Sequence, residues 1–235
     1  MGDFMDFFDL HCDTLTECMD DGDSLLKNER DIDFERGSIF GRWNQVFAVF
    51  VPDSMDDSLV EGYFDSACDF YFDELKKKGD VFPILSSEDV RGHSRGVMLA
   101  MESSRGVGSL ERLEKLYERG LRLITLTWNH KNRAAGGCDE GGGLTDWGRE
   151  LVSKMEKLGI VTDVSHLSDR SFYDLCEFSD APFIASHSDA RAVHNEVRSL
   201  TDEQIKIIIE RGGLIGLNFY DRFLGGNGGR ERFRD

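Results

Sequence analysis

The sequence predicts an α/β fold, a (β/α)8 barrel of the TIM type that lacks its eighth strand. Short apolar runs alternate with amphipathic stretches along the 235 residues, which is typical of repeated βα units around a parallel sheet. A doubly wound open sheet is the other closure, and a nucleotide-binding one would carry glycine-rich sequence after its first strand. Here that position holds His11-Cys12-Asp13. The barrel is therefore favoured, as a single domain over residues 1–235.

Seven runs are predicted as strands because they are short, apolar and rich in β-branched or aromatic residues. They cover residues 7–10, 46–51, 97–101, 121–127, 160–165, 183–186 and 213–218. Helices are predicted at residues 109–120, 145–159, 168–178 and 201–211. Ser109 and Thr145 are candidate N-caps, and Thr201 with Gln204 forms a candidate capping box.

Acidic side chains dominate the charge of the chain. The chain has 45 Asp+Glu and 28 Lys+Arg residues, so the formal net charge is −17. This balance argues against binding to nucleic acid or to an anionic membrane surface, and no apolar run approaches the roughly 18 residues of a membrane span. The five cysteines are odd in number and form no Cys-x-x-Cys pair, which indicates a reducing compartment, and we expect the cytoplasm.

Five ionisable side chains stand at predicted strand ends, where barrel enzymes place their chemistry. They are His11, Asp13, Glu102, His166 and His187. Side chains alternate along an extended backbone, so His11 and Asp13 face one side and can share a metal ion. The alternative makes Asp13 a helix N-cap. Glu102 ends an uncharged run and needs a cation nearby, either a metal ion or Arg105.

The number of these side chains points to two metal ions. His166 and His187 lie one βα unit apart, which predicts that they end neighbouring strands. Three histidines and two carboxylates exceed the about four ligands of one zinc ion and suit a pair of metals about 3.5–4 Å apart. Such a pair activates water and polarises a carbonyl group, so the implied reaction is hydrolysis of an amide or ester.

Several segments carry a resemblance to a known family. Residues 123–127 are LITLT, 143–148 are GLTDWG, 162–166 are TDVSH, 186–188 are SHS and 218–220 are NFY. With the His-x-Asp after the first strand, the chain resembles the membrane (renal) dipeptidase family, zinc peptidases of the metal-dependent hydrolase superfamily. The likeness runs over essentially the whole chain.

The resemblance implies a zinc-dependent dipeptidase with two zinc ions per subunit. In this interpretation a hydroxide that bridges the metals attacks the peptide bond of a dipeptide. His11 and Asp13 hold one zinc ion, His166 and His187 hold the other, and Glu102 bridges them as a catalytic residue. The expected partners are a small dipeptide and a second copy of the chain in a homodimer.

The resemblance also assigns residues to the substrate. Arg198 is expected to bind the substrate carboxylate, for which a bidentate guanidinium is suited, with a surface ion pair as the alternative. Trp128 and Tyr220 are expected to contact the substrate too. Trp128 occupies the place of a family histidine that polarises the scissile carbonyl, and His130, two residues on, is a candidate catalytic substitute because of the alternation of side chains.

The resemblance breaks at the C-terminus. The family's eighth strand carries an aspartate that is thought to transfer a proton, and the given sequence reaches Asp235 shortly after the seventh predicted strand. We therefore expect a fragment of a longer product, with the metal ligands present and the proton-transfer residue absent. Two other functions stay open: a catalytically silent metal- or peptide-binding barrel, and a dizinc amidohydrolase that acts on a lactone or another amide.

Overall fold

The computed structural model describes residues 5–224, which form two compact units. Unit 1 contains residues 5–124 and 158–160, and unit 2 contains residues 125–157 and 161–224. Both units are built from parallel strands and helices, so the predicted α/β class is confirmed. Over residues 5–224, no helix is long and apolar enough to cross a bilayer. The single domain over residues 1–235 stays a prediction.

Unit 1 is organised around a parallel sheet. Strands β1 (Asp6–Asp9), β2 (Arg42–Phe50), β4 (Arg95–Glu102) and β5 (Leu121–Thr125) follow one another in that order, and β3 (Phe82–Pro83) pairs with β4. Strand β2 is buried from Trp43 to Val49, as expected for a strand that is covered on both faces. The register sets Phe50 opposite Glu102, so Glu102 stands at the carboxyl end of the sheet.

Most helices of unit 1 were not predicted from the sequence. They are α1 (Thr14–Asp21), α2 (Phe34–Gly37), α3 (Asp57–Lys76), α4 (Ser87–Gly92) and α5 (Leu110–Glu118), with a 3₁₀ turn at Ser104–Val107. Only α5 was predicted. The N-cap of helix α3 is Asp56, whose side chain accepts a hydrogen bond from the Ser58 amide. It is fixed on the sheet by Tyr71, whose hydroxyl donates to the carbonyl of Val97 at 2.9 Å.

Unit 2 contains the last residue of β5, strand β6 (Val161–Asp163) and three helices, α6 (Asp146–Leu158) up to Lys157, α7 (Asp169–Phe178) and α8 (Asp202–Glu210). All three helices match their predicted positions within two residues. Two caps are as predicted: Thr145 accepts from the Gly148 amide, and Thr201 with Gln204 forms the capping box. The cap of α7 was not predicted; there Ser168 accepts from the Ser171 amide.

Two predicted strands of unit 2 are wrong as full strands. Segments 183–186 and 213–218 contribute only isolated parallel bridges, Asp163 with Ile184 and Ala185 with Ile215. The reason lies in the backbone of Ser186, whose amide donates to the carboxylate of Asp163 at 2.9 Å instead of continuing a ladder. The predicted strand 160–165 is likewise shorter, because the Ser165 amide donates to the same carboxylate at 3.0 Å.

Candidate functional site

Unit 1 brings together three of the five predicted metal ligands. His11 follows β1, Asp13 precedes α1, and Glu102 is the last residue of β4. The Nε2 atom of His11 lies 3.2 Å from Oδ1 of Asp13 and 3.7 Å from Oε2 of Glu102. The side chains of His11 and Glu102 are buried, whereas that of Asp13 is 45% exposed. This unit 1 cluster therefore opens to solvent on the Asp13 side.

The sequence left an alternative role open for each of these carboxylates, an N-cap for Asp13 and an ion pair with Arg105 for Glu102. Asp13 does occupy the N-cap position of α1, but its side chain makes no capping hydrogen bond. Arg105, the sequence candidate for pairing with Glu102, directs its guanidinium to the side chain of Asp57 and to the carbonyls of Pro52 and Met55. Two carboxylates and one imidazole nitrogen provide oxygen and nitrogen ligands of the kind that bind divalent cations.

The cysteine in the first motif is not poised as a nucleophile. Burial raises the pKa of the Cys12 thiol well above its usual range, with a further contribution from the negative charge of Asp9. A thiol acts as a nucleophile through its thiolate form. Cys12 is therefore a neutral thiol at physiological pH, and the chemistry of this segment rests on His11 and Asp13.

Unit 2 brings together the other two predicted ligands. His166 follows β6, and His187 follows the bridge residues 184 and 185. Their Nε2 atoms lie 3.0 Å apart, and their ring centroids are 5.0 Å apart. Both imidazoles thus direct their Nε2 atoms toward the same point. We call His166 and His187 the unit 2 pair.

The hydrogen bonds at the opposite nitrogens decide what the pair can bind. Nδ1 of His166 lies 2.8 Å from the carbonyl oxygen of the Asn129 side chain, which only accepts, so this Nδ1 donates. Nδ1 of His187 lies 2.7 Å from the hydroxyl of Ser186, whose own proton goes to Asp163, so this Nδ1 also donates. Each neutral imidazole is then left with a lone pair at Nε2.

Two lone pairs at 3.0 Å repel each other unless a cation, either a proton or a metal ion, lies at them. Neutral imidazole nitrogen is a common ligand of zinc. The donor set of unit 2 therefore fits a metal ion on its own geometry.

Backbone strain marks the same two places. Among the non-glycine residues of 5–224, only Ser103 and His166 have a positive φ, 76° and 69°. Ser103 directly follows Glu102, and His166 is itself a predicted ligand. Such a conformation costs about 1–3 kcal/mol and is kept where the surroundings impose it. At His166 the carbonyl is held by the Cys138 amide at 2.8 Å and by the Thr127 hydroxyl at 3.3 Å.

Trp128, one of the two candidates for the family's missing histidine, lies beside the unit 2 pair. Its ring is half-buried, with the centroid 6.3 Å from that of His166. His130 is exposed. It adds to the lowering of the pKa of Glu140, where the hydrogen bond from Lys131 is the largest cause. The role of His130 stays a prediction.

The predicted substrate residues differ in accessibility. Arg198 is buried, and its two terminal nitrogens donate to the Ser188 hydroxyl at 2.8 Å and to the His187 carbonyl at 2.9 Å. It is therefore not a surface ion pair. Tyr220 is exposed, its ring against Phe223. Both substrate assignments stay predictions.

Sequence reasoning missed the residues that orient the unit 2 pair. These are Asn129, Asp163 and Ser186. Asp163 and Ser186 belong to the TDVSH and SHS segments, but only the histidines in those segments were assigned a role. A buried polar residue next to a predicted ligand is the signal that was available.

A model of one protein family matches nearly the whole chain. It is the model described as membrane dipeptidase, peptidase family M19, and it matches residues 3–231. The chain belongs to this family. The resemblance inferred from the motifs is therefore confirmed.

Curated relatives of this M19 chain carry little functional description. A protein of the pqqA 5′ region of Klebsiella pneumoniae is 33% identical over 63% of this chain and 59% of its own length. A protein of the PQQ-III 3′ region of Acinetobacter calcoaceticus is 33% identical over 61% of this chain and 49% of its own length. An uncharacterized dipeptidase of Schizosaccharomyces pombe is 35% identical over 49% of this chain and 29% of its own length. The matched region thus spans between 29% and 59% of the length of these relatives.

Solved structures of M19 proteins share the fold. A metallopeptidase named dipeptidase AC has a TM-score of 0.85 and 26% identity, over 94% of this chain and 74% of that one. A metallopeptidase from Rhodobacter sphaeroides, liganded with a phosphinate mimic of L-Ala-D-Ala, has a TM-score of 0.84 and 24% identity, over 97% and 77%. The predicted fold class, an incomplete TIM-type α/β fold, is confirmed by these similarities.

Proposed function

We propose that this chain is a zinc-dependent dipeptidase with two zinc ions per subunit. The observation that carries the proposal is the unit 2 pair, in which two Nε2 atoms lie 3.0 Å apart while both Nδ1 atoms donate. Membership of the M19 family supports it, as does the similarity to a dipeptidase of 26% identity.

The proposed ligands divide as the motifs suggest. His11 and Asp13 would hold one zinc ion, His166 and His187 the other, and Glu102 would bridge them. The cluster of His11, Asp13 and Glu102 within unit 1 supports the first part of this assignment, and the pair within unit 2 supports the second. When bound, the zinc ions would lower the pKa of a water molecule to roughly 7 and polarise the peptide carbonyl.

The remaining residues would bind and orient the dipeptide. Arg198 would take the C-terminal carboxylate, since its guanidinium suits bidentate binding of a carboxylate and lies against the carbonyl of the proposed ligand His187. Trp128 would form a wall beside His166, and His130 and Tyr220 would reach the substrate from exposed positions. The five free cysteines support a reducing location, and we propose the cytoplasm.

Hydrolysis of dipeptides by the zinc-loaded chain tests this function. We expect turnover on a panel that includes dipeptides with a D-residue at the C-terminus, and a loss of at least about 10²-fold in kcat for Glu102→Gln, because a ligand charge is removed from the site. Glu35→Gln, an exposed carboxylate of the same unit, is the matched control and should keep full turnover.

Three outcomes separate the competing functions. Hydrolysis of dipeptides that depends on Glu102 supports the proposal. Zinc binding without hydrolysis of any dipeptide, but with hydrolysis of a lactone or cyclic amide, would replace it with another amidohydrolase activity. Zinc binding with no hydrolysis at all would favour the silent barrel, the alternative to which the substitution of Trp128 for the family histidine lends weight.

A further inference from the structure

One buried carboxylate of unit 2 is not among the proposed ligands. Asp163 ends β6, is fully buried, and accepts four hydrogen bonds. Its Oδ1 accepts from the backbone amides of Ser165 and Ser186 at 3.0 and 2.9 Å. Its Oδ2 accepts from the hydroxyls of Thr125 and Ser186, both at 2.6 Å. Each oxygen of this carboxylate thus accepts two hydrogen bonds.

The hydroxyl of Ser186 passes the effect of this carboxylate to His187. A serine hydroxyl has one proton, and the proton of Ser186 is given to Asp163. At its contact with Nδ1 of His187, 2.7 Å away, the Ser186 oxygen must therefore accept. The proton of a neutral His187 is thereby held at Nδ1, and the lone pair is held at Nε2.

The Nδ1 atom of His166 contacts a neutral group instead. Its Nδ1 donates to the neutral amide oxygen of Asn129 at 2.8 Å, and the Cys138 thiol shares that oxygen at 3.6 Å. Hydrogen bonds that involve an ionised acceptor are about twice as strong as neutral ones. The two imidazoles that face each other at Nε2 are thus anchored unequally, with the firmer anchor on His187.

We propose that Asp163 is a positioning residue that acts through Ser186 to fix His187 in the Nδ1–H tautomer. As a result, Nε2 of His187 becomes the stronger metal ligand of the two Nε2 atoms. The inference rests on the proposed function only in that His187 serves as a metal ligand. Partners of this kind, which hold the second nitrogen of a ligating histidine, raise its basicity and fix its ring orientation.

Replacement of Asp163 by asparagine reverses the direction of the hydrogen bonds that join residue 163, Ser186 and His187. The amide oxygen keeps the two backbone amides, and the new NH₂ group faces Ser186 and donates to it. The Ser186 hydroxyl then turns its proton to Nδ1 of His187. His187 is forced into the Nε2–H tautomer, which has no lone pair at Nε2 for a metal ion.

The tautomer can be read directly by NMR of the imidazole nitrogens in the metal-free chain, labelled with ¹⁵N-histidine, at about pH 9, where imidazoles are neutral. In the wild type we expect His187 to be protonated at Nδ1, where it faces the Ser186 oxygen at 2.7 Å. In Asp163→Asn we expect His187 to be protonated at Nε2. Thr125→Val removes an equal 2.6 Å bond to the same Oδ2 and should leave the wild-type tautomer.

Zinc affinity, measured by competition with a chromophoric chelator, gives the second readout. We expect Asp163→Asn to weaken binding about 10–100-fold, as is typical for loss of such a partner, and Thr125→Val to change it little. Ser186→Ala removes the link without reversing it and should fall between the two. Thermal unfolding of the metal-free variants identifies any variant that fails to fold. If Asp163→Asn does not fold, the zinc affinity of Ser186→Ala tests the proposal.

The outcomes for the inference and for the proposed function are distinct. An unchanged His187 tautomer in Asp163→Asn, or a zinc affinity for Ser186→Ala equal to that of Thr125→Val, would overturn the role of Asp163. A wild-type chain that shows the expected tautomers but binds no zinc would instead remove the proposed function and leave the role of Asp163 in positioning His187 intact.

Discussion

At the scale of single residues, the chemistry of each histidine depends on the atom that its other nitrogen contacts. The alternation of side chains was enough to predict that His11 and Asp13 share a face, and the structure sets Nε2 of one 3.2 Å from Oδ1 of the other. The same rule could not predict the tautomer of His187. That property depends on Asp163, which lies 24 residues away in sequence and is brought near by the bridge between Asp163 and Ile184.

Substitution of Arg198 tests the proposed carboxylate site. In Arg198→Lys the charge stays but the planar pair of donors is lost, so we expect KM to rise about 10-fold for dipeptides with a free C-terminus while kcat changes less. Steady-state kinetics on free and C-terminally amidated dipeptides measures the effect. Arg170→Lys, at an exposed arginine of α7, is the control. An equal rise in KM for both substrate types would contradict this role.

At the scale of secondary-structure elements, helix caps and strand cores were predictable, and long-range hydrogen bonds were not. Helices α5 to α8 have side-chain caps and an apolar stripe that repeats with the helical period. Helix α3 was missed because its twenty residues include glycine, serine, aspartate and several aromatic residues, which are weak helix formers. Packing of its buried face on the rest of unit 1 stabilises it instead.

The segment after His187 is tied to α7 and α8 by one carboxylate. Asp169, at the start of α7, accepts two hydrogen bonds from Arg191 at 2.8 Å each and one from Gln204 of α8 at 3.0 Å. The bonds from Arg191 are the largest cause that lowers the pKa of Asp169 below its ordinary value, and Gln204 adds to the effect. This arrangement helps to fix the loop that carries Arg198.

The pH dependence of stability tests the contribution of the hydrogen bonds that Asp169 accepts from Arg191 and Gln204. A carboxyl group with a lowered pKa stabilises the fold above the ordinary pKa of about 3.9, and the contribution is lost as pH falls through the folded value. At neutral pH, Asp169→Asn should therefore lower the free energy of unfolding, by no more than about 1 kcal/mol because the side chain is 50% exposed and screened.

Urea denaturation at a series of pH values checks this prediction. The difference between Asp169→Asn and the wild type should shrink as the pH falls below about 4. Asp180→Asn, an exposed aspartate of the same unit, should show no comparable difference. A difference that stays constant down to pH 2 would show that the effect is not electrostatic.

At the scale of the whole molecule, the order of apolar runs predicted the α/β class, and the motifs that carry the family resemblance predicted the M19 family. The family model over residues 3–231 and the TM-score of 0.85 confirm both. The net charge of −17 does not by itself identify a cation site. The metal content is therefore the property on which the account depends.

Zinc content per chain, measured by mass spectrometry of metals after dialysis, tests the central claim most directly. We expect about two zinc ions per chain in the wild type and about one in His166→Asn, since asparagine tolerates the left-handed backbone of residue 166 but removes the imidazole. His194→Asn is the control and should keep both ions. Less than one zinc ion in the wild type, or equal zinc in His166→Asn and the wild type, would contradict the account.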